Sequence, residues 1–227
     1  MTLKLKVKLY QHQLKALQFH IDRDKSADWS ECGTGKSITA LAKFVFLKLK
    51  YPNIKCLVLC PASLVLNWLR EIQKVSNFKA LAVIGTVNQK LSVLDQDADI
   101  YICSYDSLRG KQTLLFCRLK QMVDEYEWFI ICDEINHIQN IHALRTMFTY
   151  WLLRKAKRLI MLSGTPITND PYKVMNIYRL LNGAFTKKDR FKFFVNVGKY
   201  YPKWVLRKET LPEFHKKFYY NAIRFKK

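Results

Sequence analysis

Residues 30–37 read Ser-Glu-Cys-Gly-Thr-Gly-Lys-Ser. The pattern is GxxxxGK(S/T), with Ser30 in place of the first glycine. The chemistry it offers is anion binding. Gly33 and Gly35, with Thr34 between them, let backbone N–H groups approach phosphate oxygens. Lys36 reaches toward β and γ phosphates, and the Ser37 hydroxyl is placed to hold Mg²⁺. A helix starting near Lys36 turns its positive end toward the anion. The plainer alternative is a glycine-rich turn that caps a helix. A second cluster follows the apolar run Trp128–Cys132, where Asp133 and Glu134 stand side by side. Two carboxylates at a strand tip are costly without partners. Beside a phosphate loop, Asp133 can bind Mg²⁺ and Glu134 can orient or deprotonate the attacking water. The plainer alternative for Asp133 is a helix N-cap.

These residues need a scaffold that brings strand ends together. Apolar runs at 54–60, 80–84, 98–103, 128–132 and 158–163 read as strands. Amphipathic segments of helix length lie near 36–50, 63–77, 112–126 and 140–156. Alternating strands and helices with almost continuously apolar strands predict an α/β fold. Its parallel sheet is covered by helices on both faces. Ligands of such sheets sit beyond the carboxyl ends of the strands. Leu3, Leu5, Val7 and Leu9 alternate with other residues and predict an edge strand or extended arm. Residues 1–183 read as one lobe, and residues 184–227 as an aromatic, basic extension or linker.

The chain of 227 residues carries 39 Lys+Arg against 18 Asp+Glu, a net charge of +21. Residues 150–227 hold 19 basic and 4 acidic residues, so +15 of the excess lies there. A polyanion such as nucleic acid is the partner this suggests. The six cysteines show no CxxC pair and no zinc-like His spacing. They read as reduced thiols of a cytosolic compartment, four of them inside strand-like runs. No signal peptide and no apolar stretch of membrane-spanning length is evident, so no membrane partner is expected.

At this point the residues resemble the SWI/SNF-like branch of the superfamily 2 helicases and translocases. Leu9–Gln13 looks like the glutamine motif of that family, which makes Gln13 the adenine-reading residue. Residues 31–37 match its motif I. The run LVLCPASLVLNW at 57–68 is similar to motif Ia, including Pro61, Ser63 and the pair Asn67-Trp68. DIYICSYD at 99–106 resembles motif Ib, DEINHIQN at 133–140 motif II, and LSGTPITN at 162–169 motif III. The resemblance implies a RecA-like lobe of the P-loop NTPase type that binds ATP and Mg²⁺. Lys36, Asp133 and Glu134 are then catalytic. Gln13, Gly33, Thr34, Gly35, Lys36 and Ser37 bind nucleotide, and Ser37 and Asp133 bind the metal. Asn136, Ser163 and Thr165 are the coupling residues. Pro61, Ser63, Ser104 and Tyr105 are candidate nucleic-acid contacts. Trp68 reads as core. In Phe191-Lys192-Phe193-Phe194 the rings are expected to pack on the sheet with the lysine exposed.

Two residues depart from the family pattern. Asn136 stands where the family has His in motif II, and Ser30 where this branch often has Asp. Asn keeps hydrogen-bonding capacity but does not titrate. The resemblance further implies double-stranded or branched DNA as partner. It also implies a second RecA-like lobe of the same protein, bringing arginine fingers, after a segment like NAIRFKK at 221–227. The expectation is a first lobe of an ATP-dependent helicase or translocase. A non-catalytic ATP- and DNA-binding module is the alternative, and a small-molecule kinase has no use for motif Ia or for the charge. The lobe's compactness suggests a viral or bacteriophage member working in the host cytoplasm, or a nuclear protein if the source is eukaryotic.

Overall fold

The structure, a computed structural model, describes residues 5–108, 113–140, 142–166, 177–181, 187–199 and 203–226. The elements in chain order start with α1 (Gln11–Ile21), β1 (Lys25–Asp28), α2 (Lys36–Lys50), β2 (Lys55–Cys60) and α3 (Val65–Val75). Next come β3 (Ala80–Val83), α4 (Val87–Leu94), β4 (Ile100–Ser104), α5 (Thr113–Glu125), β5 (Trp128–Cys132), α6 (Leu144–Lys155) and β6 (Arg158–Leu162). The remainder forms α7 (Lys187–Phe193), β7 (Phe194–Asn196), β8 (Trp204–Leu206), α8 (Leu211–Phe218) and β9 (Ala222–Ile223).

Seven strands pair in the order β3-β4-β2-β5-β6-β1-β9. All their pairings are parallel. Strands β4, β5 and β6 are buried along their whole length, as expected of a parallel sheet covered on both sides. Leu41 and Phe44 of α2 and Trp68 and Ile72 of α3 form the core on one face. Leu115 and Leu119 of α5 and Leu152 and Leu153 of α6 form it on the other. Sheet order places β5 and β6 between β2 and β1, so the loops after β2, β5, β6 and β1 lie side by side at one edge.

Of the two forms expected for the N-terminal run the structure has the second, and one strand of the sheet was not expected. Residues 5–10 form no strand. They are an extended arm in which Lys6 N–H donates to Val75 O at 2.8 Å. Leu5 and Val7 pack on the α2–α3 core. The strand that leads to the phosphate loop has the sequence Lys-Ser-Ala-Asp and carries no apolar run. It is buried nonetheless, because its polar groups have partners. Ser26 Oγ lies 2.9 Å from His20 Nδ1, and Asp28 Oδ1 accepts from Ser30 N–H at 2.9 Å.

The position of Gly183, where the sequence divides, lies outside the described residues. Ile177–Leu181 before it and Phe193, Phe194, Phe214 and Phe218 after it share one apolar cluster with α5 and α6. In the aromatic stretch Phe193 and Phe194 are buried, whereas Phe191 and Lys192 are exposed. The last described segment closes the sheet. Ala27, Trp29 and Glu31 donate their N–H groups to the carbonyls of Asn221, Ile223 and Phe225 at 2.8, 2.8 and 3.0 Å. All six cysteines are free, and Cys56, Cys60, Cys103 and Cys132 are buried.

Candidate nucleotide site

The phosphate loop is shaped by two left-handed glycines. Gly33 has φ +80° and Gly35 φ +82°, values that a side chain disfavours. Gly35 is doubly required, since a Cβ there would meet Gln13 Nε2 at 2.1 Å. Gln13 is buried at the start of α1. Its Oε1 accepts from Tyr10 N–H at 2.8 Å and its Nε2 donates to Thr34 O at 3.2 Å. His12 Nε2 lies 2.9 Å from the same carbonyl. The glutamine motif is thereby fastened to the loop. The amide retains a second N–H and a second lone pair for a base edge. The Thr34 hydroxyl donates to Glu31 O at 2.8 Å.

Lys36 lies within the curve of the loop, its Nζ donating to Ser30 O at 2.8 Å and Glu31 O at 3.1 Å. Ser30 serves the loop differently from a glycine. It is 1% exposed, and its Oγ accepts from Phe225 N–H at 2.9 Å.

The acid pair sits at the tip of β5. Asp133 N–H continues the sheet pairing to Leu59 O at 2.8 Å. Its Oδ2 accepts from the Trp68 indole Nε1 at 2.8 Å and its Oδ1 from Glu134 N–H at 3.0 Å. Trp68 is core, as expected, and its one polar atom also aims the carboxylate. Glu134 has φ +47° and ψ +57°, a left-handed conformation in a residue with a side chain. Burial is the first cause that raises the pKa of both acids. Asp133 adds to the shift of Glu134, and the Lys36 charge opposes both.

Sequence reasoning missed Glu71. It stands three residues after Trp68 on α3, near enough to the Ser37 hydroxyl for that group to oppose the rise of its pKa. Burial raises its pKa, and Asp133 adds to the rise. The i, i+3 spacing from Trp68 was the available signal. Ser37, Glu71, Asp133 and Glu134 thus gather oxygen donors of the kind a hard cation takes. Among the described residues no three acidic, His or Cys side chains form a complete metal cage. The set fits Mg²⁺, which is typically held by one or two protein oxygens with phosphates and waters.

The turn after β6 reaches both clusters. Ser163 is buried, and its N–H donates to Asp28 O at 3.1 Å. Its Oγ accepts from Thr165 N–H at 3.1 Å and lies 3.5 Å from Glu134 Oε2, the outer limit of a hydrogen bond. The Asn136 amide, oriented to satisfy both of its ends, donates to Glu134 O at 2.8 Å and Oε2 at 3.2 Å. Gln139, a second residue the sequence did not single out, donates to Pro166 O at 3.0 Å. Residues 167–169 of the expected motif III lie outside the described residues.

The four candidate nucleic-acid residues divide. Pro61 and Ser63 follow the carboxyl end of β2, the first half-buried and the second exposed. Ser104 and Tyr105 are buried. Ser104 Oγ accepts from Ser107 N–H at 3.2 Å as a local cap. Tyr105 is 1% exposed, and its hydroxyl donates to Asp133 O at 2.7 Å. It supports the acid pair from below, since a ring of that size finds more stabilisation in the core than in solvent.

Across the sheet the loops carrying Ser104, Pro61, Asp133, Ser163 and Gly33 therefore follow one another along a single edge. The SNF2-related domain model matches residues 12–205. The chain belongs to the SNF2-related domain family. Among SNF2-family relatives, a RAD54-like DNA repair and recombination protein of Drosophila ananassae is 28% identical over 198 residues, covering 75% of this chain and 24% of the relative. The human DNA annealing helicase and endonuclease ZRANB3 is 26% identical over 221 residues, covering 93% of this chain and 20% of the relative. The Sulfolobus solfataricus SWI2/SNF2 ATPase core in complex with dsDNA superposes with a TM-score of 0.76 at 21% identity. That match covers 100% of this chain and 46% of that one, and shows the shared fold. The chain thus spans about a quarter or less of these two curated SNF2 relatives. These relatives are archaeal and eukaryotic and lend no support to a viral or bacteriophage source.

Proposed function

We propose that this SNF2-family ATPase domain is the ATP- and DNA-binding first lobe of a DNA-dependent helicase or translocase that works with a second RecA-like lobe. One observation carries the reading. The strand that leads into the phosphate loop, the Ser163 turn and the acid pair meet at the carboxyl edge of one sheet, through the Ser163–Asp28 bond and the 3.5 Å approach of Ser163 Oγ to Glu134 Oε2. In this reading Lys36 and the loop N–H groups hold the β and γ phosphates. Ser37 and Asp133 hold Mg²⁺, which neutralises charge on the phosphates. Glu134 takes the proton of the attacking water, and its raised pKa suits a base. Asn136, Ser163 and Thr165 relay the state of this site to the DNA side, where Pro61 and Ser63 stand exposed. The relatives named for DNA repair and annealing, the dsDNA-bound neighbour and the charge of +21 support DNA as partner.

The test is calorimetric titration of the chain with Mg²⁺-ATP, paired with single-turnover hydrolysis with and without duplex DNA. The reading expects ATP binding that Lys36→Ala abolishes. It also expects slow hydrolysis by the lobe alone, because an arginine finger contributes about 10³–10⁵ in rate in related phosphoryl transfer. Equal ATP affinity in the parent and in Lys36→Ala would overturn it.

A further inference from the structure

Polar side chains meet in the interior where α1, β1 and α2 join, and the nucleotide chemistry described so far uses none of them. His20 and Ser26 are 0% exposed, and Asp28 is 2% exposed. His20 Nδ1 lies 2.9 Å from Ser26 Oγ. Its Nε2 lies 3.7 Å from Asp28 Oδ2 and has no hydrogen-bond partner among the described residues. Burial lowers the His20 pKa; Asp28 opposes the fall, and Lys43 and Arg23 add to it, so the ring is neutral at neutral pH. Beside a carboxylate a neutral ring turns its N–H toward the charge. That assigns the proton to Nε2 and makes Nδ1 the acceptor for the Ser26 hydroxyl. Serine, imidazole and carboxylate in that order are the parts of a hydrolytic triad, but at this burial no substrate reaches them.

The other oxygen of Asp28 faces the phosphate loop. Oδ1 accepts the Ser30 N–H, two residues on, at 2.9 Å, the bond that closes an Asx turn. This turn takes the chain out of β1 and into the loop. It ends on Ser30, whose carbonyl holds Lys36 Nζ at 2.8 Å. Burial works to raise the Asp28 pKa, but His20 and Ser30 outweigh it, so the carboxylate is ionised and a strong acceptor. Helix α1 therefore reaches the loop from both of its ends. Gln13, in the first turn, bonds to Thr34 O, and His20, in the last, stands against the carboxylate that sets the entry of the loop.

We propose, on the nucleotide-binding reading of this site, that Asp28 is a positioning residue for phosphate binding. Its carboxylate, steadied by His20, fixes the direction in which residues 30–36 leave the sheet. The loop N–H groups and Lys36 are thereby arranged before any phosphate arrives. Asp28 touches no phosphate in this role. It acts through Ser30, by sparing the loop the ordering that binding would otherwise demand. A purely structural polar pair would serve the core alone, and apolar residues of similar volume could then replace it without loss of function.

The test is Mg²⁺-ATP affinity by calorimetry on the whole chain, read beside the melting temperature, for a graded set at one position. Asp28→Asn keeps an oxygen for the Ser30 N–H and should bind within about twofold of the parent. Asp28→Ser offers a weaker acceptor and should lose about fivefold, and Asp28→Leu offers none and should lose about tenfold or more, the worth of a hydrogen bond to a charged group. His20→Leu should weaken ATP binding about threefold in the parent and leave Asp28→Asn unchanged, because only a charge needs the ring. Should Asp28→Leu fail to fold, the comparison of Asp28→Asn with Asp28→Ser decides alone. Equal affinity in every folded variant, or a loss in Asp28→Asn as large as in Asp28→Ser, would overturn the positioning role. If the parent binds Mg²⁺-ATP and Lys36→Ala does not, that failure touches this role only. A parent that binds no Mg²⁺-ATP would overturn the nucleotide reading and this role together.

Discussion

The Trp68 indole donates to Asp133 Oδ2 at 2.8 Å across the gap between α3 and β5. The carboxylate is thereby fixed by a residue of the core, in the same apolar cluster as Leu41, Phe44 and Ile72, so a metal held there in the proposed reading would depend on that packing. Partners that orient a metal ligand typically contribute tenfold to a hundredfold in affinity. Trp68→Phe should therefore raise the Mg²⁺ concentration needed for half-maximal ATP binding about tenfold. It should lower the melting temperature by only a few degrees. Magnesium titration by calorimetry checks this, and an unchanged midpoint would remove Trp68 from the site.

Glu134 predicts a conflict between stability and activity. Its left-handed backbone costs about 1–2 kcal/mol in a residue with a side chain. Glu134→Gly should stabilise the lobe by roughly 1 kcal/mol while removing the proton acceptor. Glu134→Ala loses the same carboxylate but keeps the left-handed strain, so Glu134→Gly should be the more stable of the two. Denaturant midpoints of the two variants, set beside their hydrolysis rates, decide the matter.

The acid pair also makes a pH prediction. Burial, then Asp133, hold the Glu134 carboxyl above the usual range. Between the unfolded and folded pKa values the native state binds more protons than the unfolded chain. Stability from this group therefore falls as pH rises through that window, and the cost is complete above it. Glu134→Gln should be more stable than the parent at neutral pH, with the difference vanishing below the ordinary glutamate pKa. Hydrolysis by the parent should be lost on the acid side at a higher pH than an ordinary glutamate would give. Melting temperatures and rates measured across pH 4–8 test both statements.

DNA binding should follow counterion release. If the exposed lysines of α7 and α8 and their neighbours contact phosphates, affinity for random duplex should fall steeply between about 50 and 200 mM salt. A flat response would mean that the +15 of residues 150–227 is not a phosphate-binding surface.

Much of this architecture was legible because apolar residues dictate it. Trp128–Cys132 is a strand, and Lys36–Lys50 a helix, with the bounds that sequence periodicity gives. The strand before the phosphate loop was not legible. Ser26 and Asp28 are buried through bonds to His20 and Ser30, and such satisfaction is invisible until the partners meet in space. Tyr105 is left open by the sequence for a related reason. A Ser-Tyr pair at a strand end suits surface contact or burial equally well, and only the approach of Asp133 O to its hydroxyl decides between them. Gln139 reaches Pro166 O across 27 residues, a contact that no local spacing announces.

The ladder between Ala27–Glu31 and Asn221–Phe225 has a mechanical meaning. The two segments run parallel and share three backbone bonds directly before the phosphate loop. A pull on Lys226 along the strand axis loads those bonds in shear, all at once, instead of peeling them one after another. Tension at that end of the chain is delivered to Glu31 and Ser30, whose carbonyls hold Lys36. The sheet edge is in this sense a tendon attached to Lys36.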